Sequence, residues 1–228
     1  MRIGIVVAVK TERAPFEELV GKPTQVYPSH GGFDVTRWDF DPIIGGLKVF
    51  LIRSEVGEIA AANATQYLIC HHNVDKIINY GVAGGLSEDV PAHTVGYVKK
   101  IIHHGLWFGP GFKEGEYPYQ GGIYITPKED AINVEALGIR EFICASGDRV
   151  ILGGEPKINL RRSTGADICE MEAAAIARTC NRNGVPVSFI KAVSDGVDED
   201  EDAFNANVRQ ASKACAEIIV RTLKLPIM

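Results

Sequence analysis

The chain contains no run of about 18 consecutive apolar residues, the length a membrane-spanning helix needs. Its first residues are apolar, but they carry one Arg and lead into the charged stretch Lys10-Thr11-Glu12-Arg13 rather than a small-residue cleavage site. A buried first strand is therefore expected there, not a signal peptide. Basic charge is in short supply: 24 Lys and Arg stand against 29 Asp and Glu, a formal net charge of −5. That balance argues against a nucleic-acid surface, which usually needs a basic face, while leaving room for one local positive pocket. Cysteine is sparse and odd in number, five in all with no CxxC pair. This fits free thiols in a reducing cytoplasm better than a disulfide framework. No group of His, Cys and Asp has the spacing of metal ligands. The adjacent pair His103-His104 is a poor metal site, because neighbours on a strand face opposite ways. No repeat, low-complexity stretch or linker divides the sequence, so residues 1–228 are expected to form one domain with neither metal nor cofactor.

What the chain does have is apolar residues, 46% of the total, enough to bury a core that offsets the ordering entropy. Residues 3–9 form a continuous β-branched run, the mark of a strand covered on both faces. Lys10–Arg13 reads as a charged turn, followed by a helical piece over 16–20. Strand-like pieces follow at 33–38 and 47–52, an Ala-rich helix at 57–70, and a buried strand at 76–80 running into Gly81-Val82-Ala83-Gly84-Gly85. Further strands are expected at 95–102, 142–145 and 186–193. Helices are expected at 172–182, with Gly184 just past the end, and at 203–223. The last helix places Val208, Ala211, Cys215, Ile218, Ile219 and Thr222 on one side. Residues 198–202 read as a solvated acidic loop. The stretch 105–122, rich in Gly and holding Trp107, Phe108, Phe112, Tyr117 and Tyr119, reads as a long functional loop. Alternating strands and helices predict an α/β fold with a mostly parallel sheet.

Three short segments fall just past predicted strand ends: Glu12, the Gly81–Gly85 segment, and Ser194-Asp195. In open parallel sheets ligands bind at that edge. Asp195 is either a turn carboxylate or an acid that passes a proton to a leaving group. Glu170-Met171-Glu172 opens a helix. Its acids either favour the helix dipole or include one that accepts hydrogen bonds from sugar hydroxyls, with the Met beneath the sugar. The glycine segment lacks the dinucleotide fingerprint and the P-loop Lys-Ser/Thr. A tight turn that approaches a flat ligand fits it as well as a phosphate cradle does. Glu12 alone is most simply a surface acid; its interest comes from the set.

Taken together, Gly81–Leu86, Ser146-Gly147-Asp148, Glu170-Met171-Glu172-Ala173 and Ser194-Asp195 resemble the nucleoside phosphorylase superfamily in order and spacing. Within it, the chain is most similar to the bacterial methylthioadenosine/S-adenosylhomocysteine nucleosidases, from Met1 to the last helix. The resemblance implies a single-domain, three-layer fold with a central, mostly parallel twisted sheet flanked by helices. It implies that Asp195 protonates N7 of a purine and that Glu12 activates water. It implies that Glu172 binds the ribose hydroxyls, assisted by Glu170, with Met171 under the sugar and Ser194 holding Asp195. Val82, Ala83 and Gly84 would wall the base, Val150 and Ile151 would line its other side, and Phe204 would lie over the 5′ substituent. The partner would be a small purine nucleoside, and the assembly a homo-oligomer, a dimer before a hexamer.

Phosphorolysis needs a site for a dianion, and a buried dianion without partners costs several kcal/mol. The positions that hold phosphate in purine phosphorylases are here Asn79 and Val82, so water is the expected nucleophile. A non-catalytic binder has no need of Glu12, Glu172 and Asp195 together, and Asp195 argues against the pyrimidine branch. The resemblance is imperfect around the base and the 5′ group. Val82 replaces a Ser, Val150 an aromatic and Lys191 an Arg, and the stretch 105–122 differs.

Overall fold

The computed structural model describes residues 1–30, 32–40, 46–116 and 124–227. Its strands are β1 (Arg2–Val7), β2 (Gln25–His30), β3 (Phe33–Asp39), β4 (Lys48–Arg53), β5 (Lys76–Gly85), β6 (Val95–His103), β7 (Tyr124–Ile125), β8 (Arg140–Ser146), β9 (Ile168–Glu170) and β10 (Val187–Asp195). Its helices are α1 (Lys10–Val20), α2 (Glu58–His72), α3 (Glu155–Thr164), α4 (Ala173–Asn183) and α5 (Glu201–Thr222). No described helix is long and apolar enough to cross a membrane.

The strands form one sheet in the order β10-β6-β8-β9-β5-β1-β4-β3-β2. A further pairing of β10 with β5 closes the strands β5, β10, β6, β8 and β9 into a ring. The expectation of a mostly parallel sheet needs correction. Among the described residues, five of the ten strand pairings are antiparallel, including β2–β3, β3–β4, β10–β6 and β5–β9. Short connections such as β2–β3 permit antiparallel neighbours, whereas each parallel pair needs a long crossover.

Strand alternation assigns β1 to two cores. Ile3, Ile5 and Val7 pack with Phe16 and Val20 of α1 and with Ala211, Cys215 and Ile219 of α5. Val6 points the other way, among Ala61, Ala64 and Leu68 of α2 and Ile176 and Ala177 of α4. The sheet is thus covered on both faces, giving the three layers expected. Gly184 ends α4 in the left-handed conformation, φ 67°, with its N–H on the Cys180 carbonyl.

Two local expectations fail. Lys10–Arg13 is not a turn before the helix but the first turn of α1. The Glu12 carboxylate at its third position reaches back to accept from the Val9 N–H, half of a capping box. Gly81–Gly85 is not a loop but the end of β5, in register with β10 and then β9. α3 and β9, which the sequence pattern did not reveal, sit between β8 and α4.

Candidate active site

The glycines of β5 are explained by what passes beside them. A Cβ at Gly81 would collide with the Glu12 carboxylate, and one at Gly85 with the Val90 carbonyl. A Cβ at Gly84 would lie 3.3 Å from each of Asp195 Oδ2, Lys157 Cε and Cys169 Sγ. The strand is stripped so that acidic side chains can lie against its backbone, which a phosphate-binding turn would not require.

Those acids meet in one cavity of about 400 Å³ at the C-terminal ends of β1, β5, β9 and β10. Glu12, Val82, Ala83, Gly84, Val150, Ile151, Glu170, Met171, Glu172, Ser194, Asp195 and Phe204 all line it, so the residues expected to catalyse or to bind substrate are brought together. Ala8, Val9, Val56, Arg149, Leu152, Cys169 and Glu201 complete the lining. No histidine is among them. His103 pairs with Glu58 at 2.7 Å instead, and His104 is buried elsewhere. No described residues form a cluster of three metal-ligating side chains. None of the described residues of the loop 105–116 lines the cavity either. There Trp107 Nε1 donates to the Phe112 carbonyl at 3.2 Å. Tyr117 and Tyr119 lie outside the described residues.

Glu12 is tied to the β1–α1 connection and to β5. Its Oε2 accepts from Ala8 N–H at 2.8 Å and Val9 N–H at 3.2 Å, and its Oε1 from Val82 N–H at 3.0 Å. Burial raises its proton affinity, and the Lys191 ammonium and these three donors oppose the rise.

Glu170 and Glu172 are engaged differently. Glu170 accepts from the N–H groups of Glu172 (3.1 Å) and Ala173 (3.0 Å), capping α4, and from Lys191 Nζ at 2.9 Å. Burial, the largest single influence, would raise it, but the Lys191 ammonium together with hydrogen bonds from Ser146, Lys191 and the Ala173 N–H holds it below the ordinary carboxylate range. Glu172 accepts at Oε1 from Gly57 N–H, the N-cap of α2, at 2.9 Å. Burial pushes Glu172 up to about 8, and the charge of Glu170 adds to the effect. Burial would lower Lys191, yet the carboxylates of Glu170, Glu172 and Glu12 carry it above the usual lysine range. Ser146 and Asp148 anchor the same corner. Ser146 Oγ accepts from Ala174 N–H at 2.9 Å and Asp148 Oδ1 from Glu58 N–H at 2.6 Å.

A register shift between Val193 and Asp195 bulges the end of β10 and turns Asp195 toward Gly84. Ser194 Oγ donates to Asp195 Oδ1 at 2.6 Å. The other oxygen, Oδ2, accepts from Lys157 Nζ at 2.5 Å. Lys157 comes from the first turn of α3, and nothing in its sequence neighbourhood marks it out. Asn79 is inside the sheet, its Nδ2 donating to the Val6 carbonyl at 3.0 Å, and it does not line the cavity.

A family model described as "Phosphorylase superfamily" matches residues 2–224. The chain is 27% identical over 234 residues to the 5′-methylthioadenosine/S-adenosylhomocysteine nucleosidase of Shewanella pealeana, covering 98% of this chain and 99% of that protein. Its fold superposes on the nucleosidase of that name from Helicobacter pylori with a TM-score of 0.88 at 24% identity, covering 98% of each chain. It superposes on the futalosine hydrolase of Helicobacter pylori with a TM-score of 0.87 at 24% identity, covering 98% of this chain and 97% of that one.

Proposed function

The chain belongs to the phosphorylase superfamily, and from that membership and the cavity's acids we propose that it is a purine nucleosidase, hydrolysing the N-glycosidic bond of an adenosine-type nucleoside resembling 5′-methylthioadenosine or S-adenosylhomocysteine. The observation that carries this reading is the convergence of Glu12, Glu172 and Asp195 from distant segments on one buried cavity. Asp195 delivers a proton to N7, so the purine leaves as a neutral base. Glu172 accepts from the ribose hydroxyls, with Met171 beneath the sugar. Glu12 orients the water that captures C1′ as the ribose gains oxocarbenium character. General acid help of this kind is worth about 10²–10⁴-fold. The name borne by the Shewanella relative supports the substrate class. Water is favoured over phosphate because Val82 is apolar and the Asn79 amide is engaged by Val6. The reaction calls for no cofactor and no metal.

We further read the chain as one domain, 1–228, acting in the cytoplasm as a homo-oligomer, dimer first. The free cysteines and the exposed Trp107, Phe108 and Phe112 support this. The deciding experiment follows free-base release from a panel of purine nucleosides, with and without phosphate. Release without phosphate is expected. Release only with phosphate makes the protein a phosphorylase, and binding without release makes it a nucleoside-binding protein.

A further inference from the structure

Lys157 is fully buried, with none of its surface exposed. Its ammonium has three N–H groups and three partners: Asp195 Oδ2 at 2.5 Å, the Gly196 carbonyl at 2.6 Å and the Asp195 carbonyl at 3.1 Å. All three belong to the two residues that end β10 and begin the next turn. A buried charge of this kind is a poor device for stability, since an apolar side chain of the same shape would usually serve the packing as well or better. What the arrangement does achieve is specific to Asp195. Ser194 holds one carboxylate oxygen and Lys157 the other, so the side chain has no free rotation. Lys157 itself does not line the cavity, whereas Asp195 does. Gly84 lacks the Cβ that would crowd both Lys157 Cε and Asp195 Oδ2, so the bare strand accommodates the pair rather than the acid alone.

Resting on the reaction proposed above, we propose that Lys157 is a positioning residue that acts through Asp195, fixing the carboxyl and supplying through it the proton taken up at N7. As the C1′–N9 bond breaks, its electron pair stays with the base. One proton passes from Lys157 Nζ to Asp195 Oδ2 and from that carboxyl to N7. Asp195 begins and ends the step as a carboxylate, and Lys157 ends it as a neutral amine. The water that captures C1′ gives up its proton to Glu12. Once the products have left, Glu12 releases that proton to solvent while Lys157 takes one back from solvent by way of Asp195, so every group returns to its starting charge.

The test compares two leaving groups in Lys157→Met, whose side chain nearly matches the lysine stem. An adenosine-type nucleoside needs the proton; p-nitrophenyl β-ribofuranoside, whose phenolate leaves unaided, does not. Turnover of the purine nucleoside is expected to fall about 100-fold or more, with the nitrophenyl riboside changed by no more than about threefold. Continued nitrophenyl cleavage also reports an intact fold. If both substrates lose turnover alike, or neither does, Lys157 has no part in leaving-group protonation, while the hydrolase reading stands. Should Lys157→Met not fold, Lys157→Ala is assayed with added methylamine. Amine-dependent return of purine cleavage is expected, and no return overturns the proposal. A wild-type protein that releases base from no purine nucleoside overturns the reaction itself, and this role with it.

Discussion

On the floor of the cavity, Glu12, Glu170 and Asp195 each have both carboxylate oxygens bonded within the protein, and all three are buried. On the rim, Val150 is 64% exposed, and Arg149 and Glu201 are exposed as well. The floor comes from strand ends in the closed ring and from helix starts capped by its own acids. The rim comes from the segment 149–152 and the first turn of α5. The difference separates two tasks. Groups locked by hydrogen bonds in a buried floor need little reorganisation when charge develops, which is where most catalytic stabilisation arises. An open rim contributes contact area and tolerates different substituents. The sharpest way to break this contrast is to remove the floor's acid without changing its shape. Asp195→Asn keeps the Ser194 contact, and kcat is expected to fall about 10²–10⁴-fold while KM stays within about threefold. Steady-state kinetics on one purine nucleoside decides it; unchanged turnover removes Asp195 from the mechanism.

Glu172 sharpens the comparison from within the floor, because its hydrogen bond from Gly57 N–H engages Oε1, and the proposed sugar hydroxyls would add to that contact. Two sugar hydroxyls donating to one carboxylate make charge-assisted bonds worth about 1.5–3 kcal/mol each. Glu172→Gln should therefore lower kcat/KM about 10–100-fold on ribonucleosides and distinctly less on 2′-deoxy analogues, through the weaker acceptor. Equal penalties on both substrates would contradict the hydroxyl-binding role. Because burial holds Glu172 up to about 8, KM is also expected to fall as pH rises toward 8, and this trend should vanish in Glu172→Gln. Stability should move the opposite way. Between the ordinary carboxyl value of 4.5 and about 8, the folded state keeps a proton that the unfolded chain releases, so stability drops as pH rises. Melting curves at pH 5 and pH 8 should show Glu172→Gln losing less Tm than the wild type, by about 5 °C. Parallel losses would mean that Glu172 is not the titrating group.

The strand-end acids of the floor were legible from residue pattern, whereas the rim residues Val150, Ile151 and Phe204 came from the family resemblance, for a physical reason. Buried strands such as residues 3–9 announce themselves by continuous β-branched runs, and the acids at their ends stand out against that background. The same signal misled at Gly81–Gly85. Glycine normally marks a turn, yet here it marks a strand over which Glu12 and Asp195 lie. Lys10–Arg13 looked like a turn because the capping use of Glu12 depends on a carboxylate folding back, which composition does not reveal. Lys157 was invisible: a lysine in a polar helix such as α3 is normally a surface residue. Only the fold brings that helix's first turn beneath β10. Glu170 shows the limit from the other side. Its motif suggested a part in sugar binding, and the structure engages its oxygens with the start of α4 and Lys191.

The mildest expected effect belongs to the rim. Phe204 is half-buried in the first turn of α5, where Asp200 caps the helix by accepting from the N–H groups of Asp202 and Ala203. Phe204→Ala leaves that cap intact, so the helix start should survive. What is lost is the apolar area the ring offers to a 5′ substituent, about 1.5 kcal/mol or less for partial burial of a phenyl group. KM for a nucleoside with an apolar 5′ group should rise about three- to tenfold, with kcat nearly unchanged and plain adenosine less affected. That split is the signature of contact made equally in the bound and transition states. A fall in kcat as large as that of Asp195→Asn would place the ring in the floor's machinery. An equal KM rise for both nucleosides would place it over the base instead of the 5′ arm.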